Sequence, residues 1–292
     1  MKRGNRQKVT AILTADWHLR DVELDCRIDN FQQAQWRKVD FISELQKKYN
    51  CPVWHSGDLY EHWKPSPYLL TETIKYLPEQ FHTVYGNHDQ PQHNMELVYK
   101  SGINTLATAG KLTVMSGTHY GDKLQKCTFE VEGRKIAVWH VMTYKVNNPW
   151  PGNVDTPARG LIRKHNKFDL ILTGHNHKTF IEKHEGRLLV NPGSITRQAS
   201  DQADHKPVVF LYYAESNTVE EVELPYDPAV VVKPPAAKAR EDRQNRIDAF
   251  VERLDTDWTG VISFKQNLEM LMERNEIDEN VKQEIHKAYE QI

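Results

Sequence analysis

The stretch "FHTVYGNHD", residues 81–89, decides how the rest of the chain is read. It opens as a short apolar-leaning strand and stops abruptly at Gly86, Asn87, His88 and Asp89. An amide, an imidazole and a carboxylate directly after a strand are not what a plain turn requires. Working outward, "KVTAILTADWH" (residues 8–18) is a strand ending in Asp16-Trp17-His18, and "CPVWHSGDLY" (residues 51–60) is a strand ending in Gly57-Asp58. Between them, residues 29–48 carry Phe31, Ala34, Val39, Ile42 and Leu45 at near-helical spacing, and "YLLTETIKYL" is a second helical pattern. Strand, helix, strand, helix, strand is the alternation of an α/β fold with parallel strands.

Further along, "KLTVM", "KCTFEVEGRKIAVWHVM", "FDLILTGHNH", "RLLVNPGS" and "PVVFLYY" are short β-type runs, with a hairpin turn at Glu132-Gly133. Two of these also deliver polar groups: "IAVWHV" carries His140, and "LILTGHNH" ends in Gly174-His175-Asn176-His177. Ligands of open α/β sheets bind beyond the carboxyl ends of the strands. Five strand ends therefore bring Asp16, His18, Asp58, Asn87, His88, Asp89, His140, His175 and His177 to what can be one edge.

Any one of these motifs is weak. D-x-H is common, Gly-Asp is usually a turn, and a lone histidine such as His140 is usually a core residue. Their occurrence in order, each at a strand end, points to one site. Oxygen and imidazole donors without thiolate suit Mn, Fe or Zn. Seven ligating side chains exceed a single tetrahedral centre and fit two ions, which at about 3.5–4 Å apart clamp an in-line displacement at phosphorus. One carboxylate must then be shared.

The bulk properties are compatible with this. The chain has 292 residues, 39% hydrophobic and 27% charged, with net charge −2 and mean hydropathy −0.70. No overall basic field marks it as a nucleic-acid binder, although a local patch would suffice. Cys26, Cys51 and Cys127 are odd in number and widely spaced, so they form neither a disulfide framework nor a metal knot. No run approaches ~18 apolar residues, and the start lacks a signal-peptide core, so the expected location is cytoplasmic, away from membranes. Residues 1–224 read as the core. Residues 225–240, with four of the 14 prolines, read as a linker or a strap along the core, and 241–292 as helical, with a capping box at Ser263–Gln266.

The order D-x-H, G-D, G-N-H-D, H, G-H-x-H resembles the calcineurin-like metallophosphoesterase superfamily over roughly residues 8–213. The resemblance implies a four-layer α/β/β/α sandwich with a dimetal site at the rim of two sheets and a C-terminal helical extension. By that pattern Asp16, His18, Asp58 and His177 hold one ion, and Asp58, Asn87, His140 and His175 the other. His88 faces the scissile phosphate, and Asp89 is expected to orient it. "GDLYEHWKPS" and "NPGSITRQ" are similar to segments of the SbcD-type nuclease subunits of double-strand-break repair complexes, in a compact bacterial or phage form. This implies a Mn²⁺-dependent DNA exo/endonuclease (Fe, Zn or Mg as other metals), an SbcC-type P-loop ATPase partner docking on the C-terminal region, and a homodimer. Many relatives carry histidine three residues after the bridging aspartate, where this chain has Glu61. Lys64 and Arg197, with Lys145 and Lys178, are candidate phosphate contacts. Two other readings stand beside this one. The same core could act on nucleotides, cyclic nucleotides or phosphoproteins, or it could be a scaffold that has lost its chemistry.

Overall fold

The computed structural model describes residues 7–115, 127–145 and 155–232, together with 272, 281 and 282. Strand β1 (Ala11–Thr14) has all four residues buried, and its side chains alternate between two cores. Ile12 faces a core shared with helices, while Ala11 and Leu13 face a core shared with a second sheet. A strand covered on both faces must be apolar throughout, which is why this stretch shows no polar alternation.

β2 (Val53–His55), β3 (Phe81–Thr83) and β4 (Thr113–Val114) continue from β1 as parallel neighbours. β10 (Val208–Tyr213) and β11 (Thr218–Glu223) close the other side antiparallel, giving the order β11-β10-β1-β2-β3-β4. The second sheet has the order β5-β6-β7-β9-β8, built from Thr128–Val131, Arg134–His140, Leu170–Gly174, Arg187–Asn191 and Phe180–His184. In it β6, β7 and β9 are parallel, and β5 and β8 are antiparallel edges.

Leu13, Trp54, Val84, Phe210 and Tyr212 of the first sheet pack between the sheets against Ile136, Val138, Leu170, Leu172 and Val190 of the second. On the outer face of the first sheet lie α1 (Phe31–Tyr49), α2 (Pro67–Tyr76) and α3 (Gly102–Thr108), through Trp36, Val39, Ile42, Leu45, Leu69, Ile103 and Leu106. α4 (Ala158–Lys164) covers the outer face of the second, with Leu161 and Ile162 against Ala137, Trp139, Ile171 and Leu189. These are the four layers that the family resemblance implies. Local signals set the helix starts: Asn30 accepts from Gln33 N at α1, and Ser66 from Leu69 N ahead of Pro67 at α2. α3 and α4 have seven residues each and no repeated stripe, and the sequence reading does not isolate them. The hairpin turn falls where expected, with Glu132 at φ 49° and Gly133 at φ 76°.

The chain divides into two compact units, Met1–Ala237 and Lys238–Ile292. The start of the proline-rich stretch lies on the core: Val232 N donates to Cys26 O at 2.8 Å, and Ile28 N to Val230 O at 3.1 Å. Met272, Val281 and Lys282 are helical, and the rest of 241–292, including Ser263–Gln266, lies outside the described residues. Among the described residues no helix is long and apolar enough to cross a membrane.

Candidate metal centre

The carboxyl ends of β1, β2 and β3 meet those of β6 and β7, and the side chains expected there converge on Asp58. Asp58 Oδ2 lies 3.4 Å from His18 Nε2 and 3.2 Å from His140 Nε2. Asn87 Oδ1 lies 2.9 Å from His140 Nε2 and 2.8 Å from His175 Nδ1. The ligating atoms of Asp16, His18 and His177 fall within 4.8 Å of one another, as do those of Asp58, His140 and His175. Two donor clusters thus flank one carboxylate, the arrangement a shared ligand requires. A third grouping, His18, Asp58 and His88, satisfies the same distance and places His88 at the same centre.

The turns that achieve this are strained. Asp16 (φ 48°), His18 (φ 45°), Asp58 (φ 57°) and His175 (φ 79°) are all left-handed, at a cost of about 1–3 kcal/mol each. Cross-strand bonds hold them: Asp16 N to Gly57 O at 3.1 Å, His18 N to Asp58 O at 3.0 Å, and His175 N to Asp16 Oδ1 at 2.9 Å. Gly86 allows the closest approach, since a Cβ there would lie 2.0 Å from Asp58 Oδ1. Trp17, between Asp16 and His18, is wholly buried and meets Phe81 and His55 edge-on, anchoring the loop from the other side.

The donor set fits divalent cations. His140 Nδ1 donates to the Ser56 carbonyl at 2.8 Å, which turns Nε2 toward Asn87 Oδ1 and Asp58 Oδ2. Converging acceptors call for positive charge between them. Asp16 Oδ2 and His18 Nε2 are buried with no hydrogen-bond partner, which makes them available as ligands. Charge drives the two carboxylates apart. Burial raises the Asp16 carboxyl, opposed by the charge of His140. Burial would raise Asp58 too, but His140 and then His88 hold it well below that range. Burial, then the charge of His18, keeps His177 well below the imidazole range, hence neutral and able to ligate.

His88 donates its backbone N–H to Asp58 Oδ1 at 2.9 Å and its Nδ1 to the Glu61 carbonyl at 2.8 Å. Burial would lower His88, but Asp58 and then Glu61 outweigh it and raise it. Asp89 corrects an expectation. Rather than orienting His88, its carboxylate accepts from the backbone amides of Asp58 (2.8 Å), Gly86 (2.9 Å), Tyr60 (3.2 Å) and Leu59 (3.3 Å). It clamps the loop after β2 to the loop after β3.

Arg197 is the second correction. It is 1% exposed and cannot meet a phosphate. It donates to the carbonyls of Ala203, Pro228 and Asp227 and lies over the Tyr226 ring, fastening residues 226–228 to the core. Lys64, Lys145 and Lys178 are exposed. Two contributors carry no signal in the sequence, Arg20 and Gln198, and Glu61 is marked there only as a departure from the family pattern. Glu61 accepts from His18 Nδ1 at 2.9 Å, and Gln198 donates to the carbonyls of Trp17 and His18. Only the position of Glu61, three residues after Asp58, signals this in the sequence.

Fold and site together define a metal-dependent phosphoester hydrolase. Residues 11–215 match the profile described as the calcineurin-like phosphoesterase superfamily domain, and the chain belongs to that superfamily. Solved structures similar in fold include an archaeal phosphodiesterase, at 15% identity and TM-score 0.41 over 73% of this chain and 99% of that one. Vacuolar protein sorting 29 from Cryptosporidium parvum matches at 17% identity and TM-score 0.38, over 74% of this chain and 97% of that one. A putative 5′-nucleotidase from Staphylococcus aureus matches at 12% identity and TM-score 0.45, over 80% and 58% of the two chains. No curated protein matches the sequence.

Proposed function

We infer that this chain is a DNA phosphodiesterase, the nuclease subunit of a complex with an SbcC-type ATPase. The observation that carries the hydrolytic part is the convergence of His18 and His140 on one oxygen of Asp58, with Asn87 and His175 beside it. The DNA part rests on the likeness of "GDLYEHWKPS" and "NPGSITRQ" to the SbcD-type segments.

Asp16, His18, Asp58 and His177 would hold one divalent ion, and Asp58, Asn87, His140 and His175 the other, Mn²⁺ being the expected metal. Bound there, the ions supply a Lewis-acidic clamp on the phosphoryl oxygens and a lowered pKa for the attacking water. The protein supplies the rest. Asp58 is shared between the clusters, and His140 is locked by the Ser56 carbonyl with Nε2 inward. His88, with Nδ1 committed to Glu61 O, presents Nε2 to the substrate. From there it donates to a phosphoryl oxygen or to the leaving group as charge builds.

The test is hydrolysis of end-labelled duplex, nicked and single-stranded DNA with Mn²⁺, beside a generic bis-phosphodiester, a cyclic nucleotide and a phosphopeptide. DNA cleavage that disappears in His88→Asn with metal content retained is the expected result. Faster turnover of the cyclic nucleotide or phosphopeptide than of DNA would replace the nuclease reading with the alternative. The partnership is tested by pull-down of the ATPase with the full chain and with residues 1–238. Equal capture by both would remove the docking role of the C-terminal region.

A further inference from the structure

Glu61 lies three residues beyond Asp58, and the proposed hydrolysis calls on its backbone carbonyl alone. Its carboxylate Oε2 accepts from His18 Nδ1 at 2.9 Å and pairs with Arg20 Nη2 at 2.5 Å. Arg20 Nη2 also donates to Gln198 Oε1. Gln198 Nε2 in turn donates to the carbonyls of Trp17 at 3.3 Å and His18 at 3.2 Å. The contacts form a closed ring: His18 side chain, Glu61, Arg20, Gln198, and back to the His18 backbone. A carboxylate can only accept, so Nδ1 of His18 carries a proton. Nε2 is left facing the cluster, 3.4 Å from Asp58 Oδ2 and without a hydrogen-bond partner.

We propose that Glu61 is a positioning residue for His18. Braced by Arg20 and Gln198, it fixes the tautomer and ring plane that present His18 Nε2 to the divalent ion shared with Asp16 and His177. This rests on the reading of His18 as a metal ligand. A carboxylate behind a ligating imidazole sets its orientation and raises its basicity, and losing such a partner weakens metal binding about 10–100-fold. A histidine at this position, which the family resemblance leads one to expect, would offer a neutral acceptor and no counter-charge for Arg20.

The test is a Mn²⁺ titration, read by the electron paramagnetic signal of free Mn²⁺, on wild type, Glu61→Leu, Glu61→Gln and His18→Ala. Imidazole nitrogen correlation spectra of the metal-free proteins accompany it. His18→Ala should lose one ion; if it binds both as wild type does, the ligand reading falls and the proposal with it. Glu61→Leu should weaken one ion about 10–100-fold and leave the other unchanged. Glu61→Gln, whose amide oxygen still accepts from Nδ1, should fall between. In the spectra His18 should be the Nδ1–H tautomer in wild type and a mixture in Glu61→Leu. Both ions weakened equally, neither weakened, or a tautomer that does not move would overturn the proposal. If Glu61→Leu does not fold, the isosteric Glu61→Gln carries the same test, and an unweakened ion in it is the contradicting result.

Discussion

Removing the Asp89 carboxylate should destabilise the protein and disperse the metal centre, although Asp89 ligates nothing. Four backbone amides point at it, two at close range (Asp58 N 2.8 Å, Gly86 N 2.9 Å) and two longer (Tyr60 N 3.2 Å, Leu59 N 3.3 Å). The residue is wholly buried, so water does not replace the lost acceptor. Each buried donor left unmatched costs about 1–3 kcal/mol, and the two close amides alone give about 2–6 kcal/mol for Asp89→Ala. Asp89→Asn should cost less, because its carbonyl oxygen keeps two lone pairs while its NH₂ turns a donor toward donors. Burial, then the charge of Asp58, raises the Asp89 carboxyl to about 7, so the comparison belongs at pH 8 where it is ionised. The assay is equilibrium unfolding in guanidinium, followed by circular dichroism, beside Mn²⁺ binding. If Asp89 served only to orient His88, Asp89→Ala would lose activity and keep stability and metal. A cost below about 1 kcal/mol with full metal content would refute the clamp.

Three further outcomes follow from the same geometry. Gly86→Ala sets a Cβ 2.0 Å from Asp58 Oδ1 and 2.4 Å from Asp58 N, and should cost about 1–3 kcal/mol and weaken both ions; wild-type metal affinity would contradict it. Arg197→Ala frees the carbonyls of Ala203, Asp227 and Pro228 and should cost about 2–4 kcal/mol, read by urea unfolding. It should leave the salt dependence of DNA binding unchanged, where a phosphate contact would lower that slope by about 1. Burial, then the charges of Arg27 and Arg37, pushes the 1%-exposed Lys38 down from 10.5 to about 7. The unfolded chain therefore binds the extra proton between those values, and stability contributed at this residue rises with pH across that window. Lys38→Met should raise the melting temperature at pH 6.5, with the gain shrinking by pH 10; a gain independent of pH would show that the charge is not the cause.

What the sequence discloses depends on how local the signal is. The strand–helix alternation is carried by runs such as Ala11–Thr14 and the stripe of α1, so layers and order are legible. The residues converging on Asp58 are legible because each closes a strand and the parallel arrangement fixes where strands end. Asp89 and Arg197 depart from the sequence expectation for one reason: a charged residue beside a motif suggests chemistry, yet both spend their charge on backbone groups. Asp89 reaches amides 29–31 residues away, and Arg197 reaches carbonyls 30–31 residues away at Asp227 and Pro228. The ring of Glu61, Arg20 and Gln198 spans 178 positions between Arg20 and Gln198, and no spacing rule links them. The stretch "NPGSITRQ" illustrates both sides. It marks the loop as special, while its Arg197 and Gln198 brace the strap and the Asp16–His18 turn.

The most direct test of the account is the number of Mn²⁺ ions bound per chain in wild type and in Asp58→Ala, measured by equilibrium titration on folded protein. A carboxylate whose Oδ2 lies 3.4 Å from His18 Nε2 and 3.2 Å from His140 Nε2 serves both clusters. The expected result is two ions in wild type and the loss of tight binding at both sites in the variant. Two tightly bound ions in Asp58→Ala, or a single ion in wild type, would contradict a shared carboxylate at the centre of a dimetal phosphoesterase.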